Sequence, residues 1–243
     1  MQNLKLNVII PAYNEEKRIG KTLRGLAAYI QTAPSHLEID TYIVDDGSKD
    51  GTAKVVKQLA AELGQNFHIL SYGKNRGKGY AVKFGMLQSQ QAHYYYLADA
   101  DMSSPWQTIT ELLDAAIGGD SNSYDCVIGS RATADARVSS KGSRKISGRI
   151  SNLIIRGALG LAIRDTQCGY KLFKSTCIPA FRAQILDRFG FDFEILYLIK
   201  KLGLSTLEKG IEWEHRDESK VRFSDYFRTF TELLKVRTHP YKI

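Results

Sequence analysis

The sequence predicts an α/β protein built on a mostly parallel sheet with helices on both faces, and three observations carry that expectation. Short β-favouring runs alternate with amphipathic helical patterns through the first half of the chain. Those runs are almost continuously apolar, as strands covered on both faces must be. Polar and acidic clusters follow the runs directly, at the strand ends where open parallel sheets gather their ligands.

Taken in order, residues 7–11 (NVIIP) form the first predicted strand, and the polar cluster Tyr13–Glu16 follows it. Ile19, Leu23, Leu26 and Ile30 recur at helical spacing and predict a helix. Residues 41–44 (TYIV) are the second strand, and Val55, Val56, Leu59, Ala60 and Leu63 mark the second helix. Strands are expected again at 67–70, 94–98 and 126–129. Periodicity then fades: residues 132–151 are rich in Ala, Ser, Gly and basic residues, which suggests a mobile loop or short surface helix. Helices are predicted at 152–163, 178–189 and 192–202, and a last strand at 207–213. Ser224 is a candidate cap for a final helix bearing Tyr226, Phe227, Phe230, Leu233 and Leu234. Such a stripe is core packing or, with Arg228, Lys235 and Arg237 around it, a membrane-interface helix.

Composition narrows the class. The 243 residues include 43% apolar and 25% charged side chains, enough for one sizeable domain and too apolar for disorder. No window approaches the about 20 uninterrupted apolar residues of a membrane span, and the N-terminal stretch does not read as a signal peptide. Cys126, Cys168 and Cys177 lack metal-type spacing and are expected as free thiols in a reducing, cytoplasmic compartment. The net charge of +8 is concentrated: residues 136–164 contain Arg137, Lys141, Arg144, Lys145, Arg149, Arg156 and Arg164 and no acid. A field of that kind attracts phosphate groups, whether of a nucleic acid, an anionic membrane or a small molecule, although a solvated basic helix would look the same.

Three clusters carry chemistry. Asp99-Ala100-Asp101 closes a strand and precedes Met102 and Ser103; carboxylates so spaced can share a divalent cation with substrate phosphates, and they also occur in turns and caps. In residues 43–52 (IVDDGSKDGT) a tight turn and helix cap account for Gly47, Asp50 and Thr52, but not for Asp45 and Asp46 together; a carboxylate there can accept base or ribose donors. Residues 74–81 (KNRGKGYA) mix bases and glycines ahead of a helix like a phosphate-cradling loop, without the spacing of a P-loop.

The order of motifs PAYNEE (11–16), IVDDGSKDGT (43–52), NRGKGYAVKFG (75–85), DAD (99–101) and GSR (129–131) resembles the family 2 glycosyltransferases of GT-A fold. The later DTQCGYKLF (165–173), RFGFDFEILY (188–197) and ESKVRF (218–223) are similar to the polyprenyl-phosphate branch, closest to the dolichyl-phosphate β-glucosyltransferase type. That resemblance implies a catalytic domain over residues 1–223, with 131–164 as a basic acceptor loop and helix, and an amphipathic helix over 224–243. It implies that Pro11, Tyr13, Glu15, Val44 and Asp46 hold the base and ribose of a nucleotide sugar. Asp99, Ala100 and Asp101 would then flank its diphosphate and Mg²⁺ or Mn²⁺, with Ser103 as a further metal ligand. Arg131, Arg216 and Lys220 would clamp phosphates, and Arg144, Ser147 and Arg149 would meet the acceptor phosphate. Asp101, Arg131 and Asp192 are the catalytic candidates this gives, with Glu194 a second acid near the acceptor end.

The implied reaction is inverting transfer of a hexose, glucose from UDP-glucose before mannose from GDP-mannose, to a polyprenyl phosphate at the cytoplasmic face of a membrane. A phosphate acceptor is already ionised near neutral pH and needs little help from a base. A family 2 enzyme with a saccharide or protein hydroxyl as acceptor is the alternative; it would need Asp192 or Glu194 as base. A nucleic-acid-binding module is a remote one, since residues 136–164 contain no Phe, Tyr or Trp for stacking and the acidic clusters would have no use.

Overall fold

The computed structural model describes residues 3–118, 123–139, 145–215 and 223–243. Strands β1 (Leu4–Ala12), β2 (Leu37–Asp45), β3 (Phe67–Ser71), β4 (Tyr94–Leu97) and β5 (Cys126–Ser130) form at the predicted runs, with β1 and β2 starting three and four residues earlier and β4 ending one residue sooner. Between them lie α1 (Ile19–Thr32), α2 (Thr52–Leu63), α3 (Lys78–Gln88) and α4 (Thr108–Ile117). The second half adds β6 (Arg137–Ser139), α5 (Lys145–Leu159), β7 (Lys171–Lys174), α6 (Ile178–Ala183), α7 (Phe191–Lys201), β8 (Thr206–Gly210), β9 (Glu212–Glu214) and α8 (Phe223–Thr238).

The main sheet runs β3-β2-β1-β4-β7-β5-β8, and β7 alone within it is antiparallel to its neighbours. Strand order reverses between β1 and β4, which opens a crevice beyond their carboxyl ends. Alternation along each strand divides the core between the two faces. Leu6, Val8 and Ile10 of β1 pack with Ile19, Leu23 and Leu26 of α1, Val56 of α2 and Leu112 of α4. Ile9 points the other way, toward Ala81 and Val82 of α3, Ile155 of α5 and Phe193 and Ile195 of α7. α7 is buried almost all round, its Asp192 and Glu194 included, so it is a core helix rather than a surface one.

Several expectations change in the second half. The helix predicted at 152–163 starts earlier, at Lys145, and stops at Leu159, because Gly160 takes a left-handed φ of 61°. The helix predicted at 178–189 ends at Ala183; beyond it the Gln184 amide bonds the carbonyls of Gly79 and Leu186 and turns the chain across the start of α3. The last predicted strand splits at Ile211. Its N–H donates to the Ser130 carbonyl, and its own carbonyl receives the Arg137 N–H, so the chain leaves the main sheet and β9 pairs with β6. Strand β7 has no counterpart in the sequence reading. The predicted apolar stripe of α8 also divides: Leu233 is buried with Val236, whereas Phe230 and Leu234 are each 52% exposed.

Candidate active site

Chain leaving β4 carries Asp99, Ala100 and Asp101 into the crevice, and the buried β4 fixes their origin. The Asp99 carboxylate lies 2.5 Å from the Lys78 ammonium, at the first residue of α3. It also packs directly on Gly169, where a Cβ would sit 2.1 Å from Oδ2. Burial works against the charge on Asp99, but Lys78 outweighs it and holds the carboxyl below its ordinary range. Asp101 goes the other way: burial, then the neighbouring Asp99 charge, raise its carboxyl. Asp101 accepts the Ser103 N–H at 3.1 Å, and Met102 between them adopts a left-handed φ of 54°. Ser103 itself is buried.

Asp99 and Asp101 are thus two half-buried carboxylates near enough for the charge of one to raise the other, with Lys78 set against Asp99. Among the described residues there is no group of three or more His, Cys, Asp or Glu that could hold a metal. Two carboxylates so placed suit a divalent cation that would take its remaining ligands from substrate oxygens and water.

Beyond β1 and β2 lies a second set. Asp46 is buried, and its carboxylate accepts the N–H groups of Arg76 (2.7 Å) and Gly77 (2.8 Å), the Asn75 amide (2.8 Å) and the Tyr72 hydroxyl (3.0 Å). It organises the 72–77 loop, so any donor contact at Asp46 is made together with that loop. Glu15 is buried and paired bidentately with Arg18, while its N–H is bonded to the Thr52 hydroxyl. Val44 is fully buried, leaving only its main chain for a ligand; Pro11 and Tyr13 flank it, half-buried, at the end of β1. The Ala100 carbonyl is taken by the Thr22 hydroxyl at 2.6 Å.

Arg131 stands at the end of β5, held bidentately by Asp165 at 2.7 and 2.9 Å, with the Trp213 ring 5.3 Å from its guanidinium. The Asp165 N–H and the Ser130 hydroxyl both bond Glu208 of β8, which locks this corner of the sheet. Burial alone would raise the Asp165 carboxyl, but the bonds and charge of Arg131 reverse this and hold it low.

Asp192 forms a buried ion pair with Lys171 of β7, whose ammonium also bonds the Cys168 carbonyl. Glu194 accepts the N–H groups of Ile185 and Leu186 and the Tyr241 hydroxyl. Both acids are thus committed to internal partners. Arg144, Arg216 and Lys220 lie outside the described residues, and Ser147 and Arg149 fall in α5 outside the described side chains. Sequence reasoning did not single out Lys78, Asp165, Gly169 or Lys171, although each sits inside a quoted motif. The free state expected of Cys126, Cys168 and Cys177 is what the structure has, all three buried.

A family model described as Glycosyl transferase family 2 matches residues 7–188. The chain is 32% identical to the dolichyl-phosphate beta-glucosyltransferase of Dictyostelium discoideum, over 98% of this chain and 75% of that protein. It is 34% identical to the dolichyl-phosphate beta-glucosyltransferase ALG5A of Trichomonas vaginalis, over 95% of this chain and 72% of that one. Among solved structures, glucosyl-3-phosphoglycerate synthase from Mycobacterium tuberculosis, crystallised with Mn²⁺, UDP-glucose and phosphoglyceric acid, matches with a TM-score of 0.68 at 16% identity, covering 98% of this chain and 81% of that one. At that identity the likeness speaks for the fold, which is the GT-A arrangement.

Proposed function

The chain belongs to glycosyl transferase family 2, and from that premise we propose that it transfers glucose from UDP-glucose to the phosphate of a polyprenyl phosphate, with inversion and with Mg²⁺ or Mn²⁺. The observation that carries the donor half is the Asp99–Asp101 pair beside Lys78 at the sheet's switch point. A divalent cation held by Asp99 and Asp101 would supply charge to the leaving diphosphate. Lys78 and Arg131 bring fixed positive charge to the same crevice, and Asp165 orients Arg131. The loop ordered by Asp46, with Pro11, Tyr13, Glu15 and the Val44 main chain, faces base and ribose.

Relatives named for transfer to dolichyl phosphate support a phosphate acceptor. An acceptor phosphate attacks as an anion, and this agrees with Asp192 and Glu194 both being engaged in internal bonds rather than poised as bases. Arg144, Ser147, Arg149, Arg216 and Lys220 keep their proposed phosphate roles from sequence.

We place the enzyme against the cytoplasmic face of an anionic membrane, where its three free thiols stay reduced. No helix among the described residues is long and apolar enough to cross a bilayer. Leu153 (66% exposed) and Ile154 (49%) on α5 lie on a helix that contacts α8, which exposes Phe230 and Leu234. Exposed Lys235 of α8 adds positive charge for lipid headgroups.

Radiolabelled UDP-glucose, Mn²⁺ and a polyprenyl phosphate in detergent test the assignment. Metal-dependent label in the organic phase is expected. Nucleotide-sugar binding without labelled lipid would discard the acceptor and retain the fold and donor site.

A further inference from the structure

Glu194 lies in the first turn of a buried helix, yet the bonds of its carboxylate go to groups outside that helix. Its Oε1 accepts the Ile185 N–H at 2.7 Å and the Tyr241 hydroxyl at 2.7 Å, and its Oε2 accepts the Leu186 N–H at 2.9 Å. Tyr241 arrives from the segment after α8. Its ring packs edge-on against Tyr197 with centroids 6.3 Å apart. The carboxylate therefore joins that segment to the 184–188 turn.

The 184–188 turn in turn supports the loop that opens α3. The Gln184 amide donates to the Gly79 carbonyl at 2.9 Å, the Tyr80 N–H donates to the Asp187 carbonyl at 3.0 Å, and the Asp187 carboxylate pairs with Arg76 at 3.3 Å. The approach is so close that a Cβ on Gly77 would sit 2.5 Å from the Asp187 carbonyl oxygen, and one on Gly79 2.6 Å from that of Leu186. On its other side this loop presents the Arg76 and Gly77 N–H groups to Asp46 and the Lys78 ammonium to Asp99.

We propose that Tyr241 is a positioning residue for the nucleotide sugar, acting through Glu194 and the 184–188 turn to fix the 75–79 loop. The inference rests on the reading above that this loop faces the donor. Removing the hydroxyl leaves a buried carboxylate one donor short, and the turn it anchors then relaxes.

Tyr241→Phe keeps the ring and deletes the bond. UDP binding is measured by calorimetry, and hydrogen exchange is followed at the Arg76 and Gly77 amides, both well below the melting temperature. Tyr29→Phe, which deletes a hydroxyl bond to Thr110 on the opposite face of the sheet, is the control for loss of stability alone. Tyr241→Phe is expected to weaken UDP binding about three- to tenfold and to speed exchange at both amides, with Tyr29→Phe doing neither. Unchanged exchange in Tyr241→Phe would overturn the linkage, whether or not the wild-type protein binds UDP. Faster exchange with UDP affinity within twofold of wild type would overturn the positioning role. A wild-type protein that fails to bind UDP would count against the donor assignment, and the exchange comparison would still decide the linkage.

Discussion

Lys78 and Asp99 meet at 2.5 Å, each side chain about a quarter exposed, so the positive end of α3's first residue neutralises the acid two residues beyond β4. Burial alone would lower the Lys78 ammonium's pKa, but Asp99 and then Asp192 outweigh it and keep the group charged. A permanent cation is thus built in beside two carboxylates that also suit a metal. Lys78→Met removes that charge where, in the proposed transfer, diphosphate charge would develop. It should lower kcat about 10²-fold with the fold unchanged by circular dichroism, as loss of one preorganised donor does.

Asp101→Ala should abolish turnover and Mn²⁺ binding, the latter read by electron paramagnetic resonance of the free ion, while thermal unfolding stays cooperative. Asp101 is half-buried and carries a raised carboxyl, so its removal relieves repulsion with Asp99 rather than breaking a stabilising pair. Full Mn²⁺ binding in this variant would remove Asp101 from the metal site.

Gly169→Ala tests the close approach on the other side of Asp99. The added methyl would lie 2.1 Å from Oδ2, so the carboxylate must move and loses its line to Lys78. A fall in activity of more than tenfold with a smaller change in melting temperature is expected. Equal activity would mean that Asp99 works from a different rotamer.

The Arg131–Asp165 pair predicts an acid limb in stability. The Asp165 carboxyl is held below its unfolded value, so the pair contributes stability above about pH 4 that disappears as pH falls through the depressed folded value. Asp165→Asn should flatten this limb and leave a lower, pH-insensitive contribution. Denaturant midpoints between pH 2 and pH 7 for both proteins would show it.

Exposed apolar residues on α5 and α8 give a test of membrane association. Replacing Leu153, Phe230 and Leu234 by serine should abolish flotation with anionic vesicles and spare transfer to a short, soluble polyprenyl phosphate. Unaltered flotation would take the membrane away from this face.

The first half of the fold was legible because β1 to β5 each contain a short apolar run and α1 and α2 keep their period, whereas α4 had no predicted counterpart. β7 was not, since KLFK begins and ends with lysine. Lys171 is buried all the same, its charge answered by Asp192, a partner distant in sequence. Glu194 shows the same limit: an acid in the first turn of a helix looks like a dipole preference, and only the folded chain reveals the 184–188 turn, whose N–H groups it accepts, and Tyr241. At the candidate site the sequence marked the acids by their motifs but not the groups that answer them, because Lys78, Gly169 and Asp165 act through contacts that spacing does not encode.

The placement of β7 also sets an order in time. Among the described residues, β5 and β8 reach the rest of the sheet only through that strand, so β5 leaves the ribosome with no sheet neighbour to join until residues 171–174 have followed it. β1 to β4 can assemble earlier, from pairings complete once β4 is made. Gly169 and Asp165 are delivered by the same late strand's approach, so the crevice around Asp99 cannot be completed before residues 165–174 have been made. Nascent chains arrested before Lys171 should therefore expose an unpaired β4 edge to chaperones, and binding competence should appear only after it is covered.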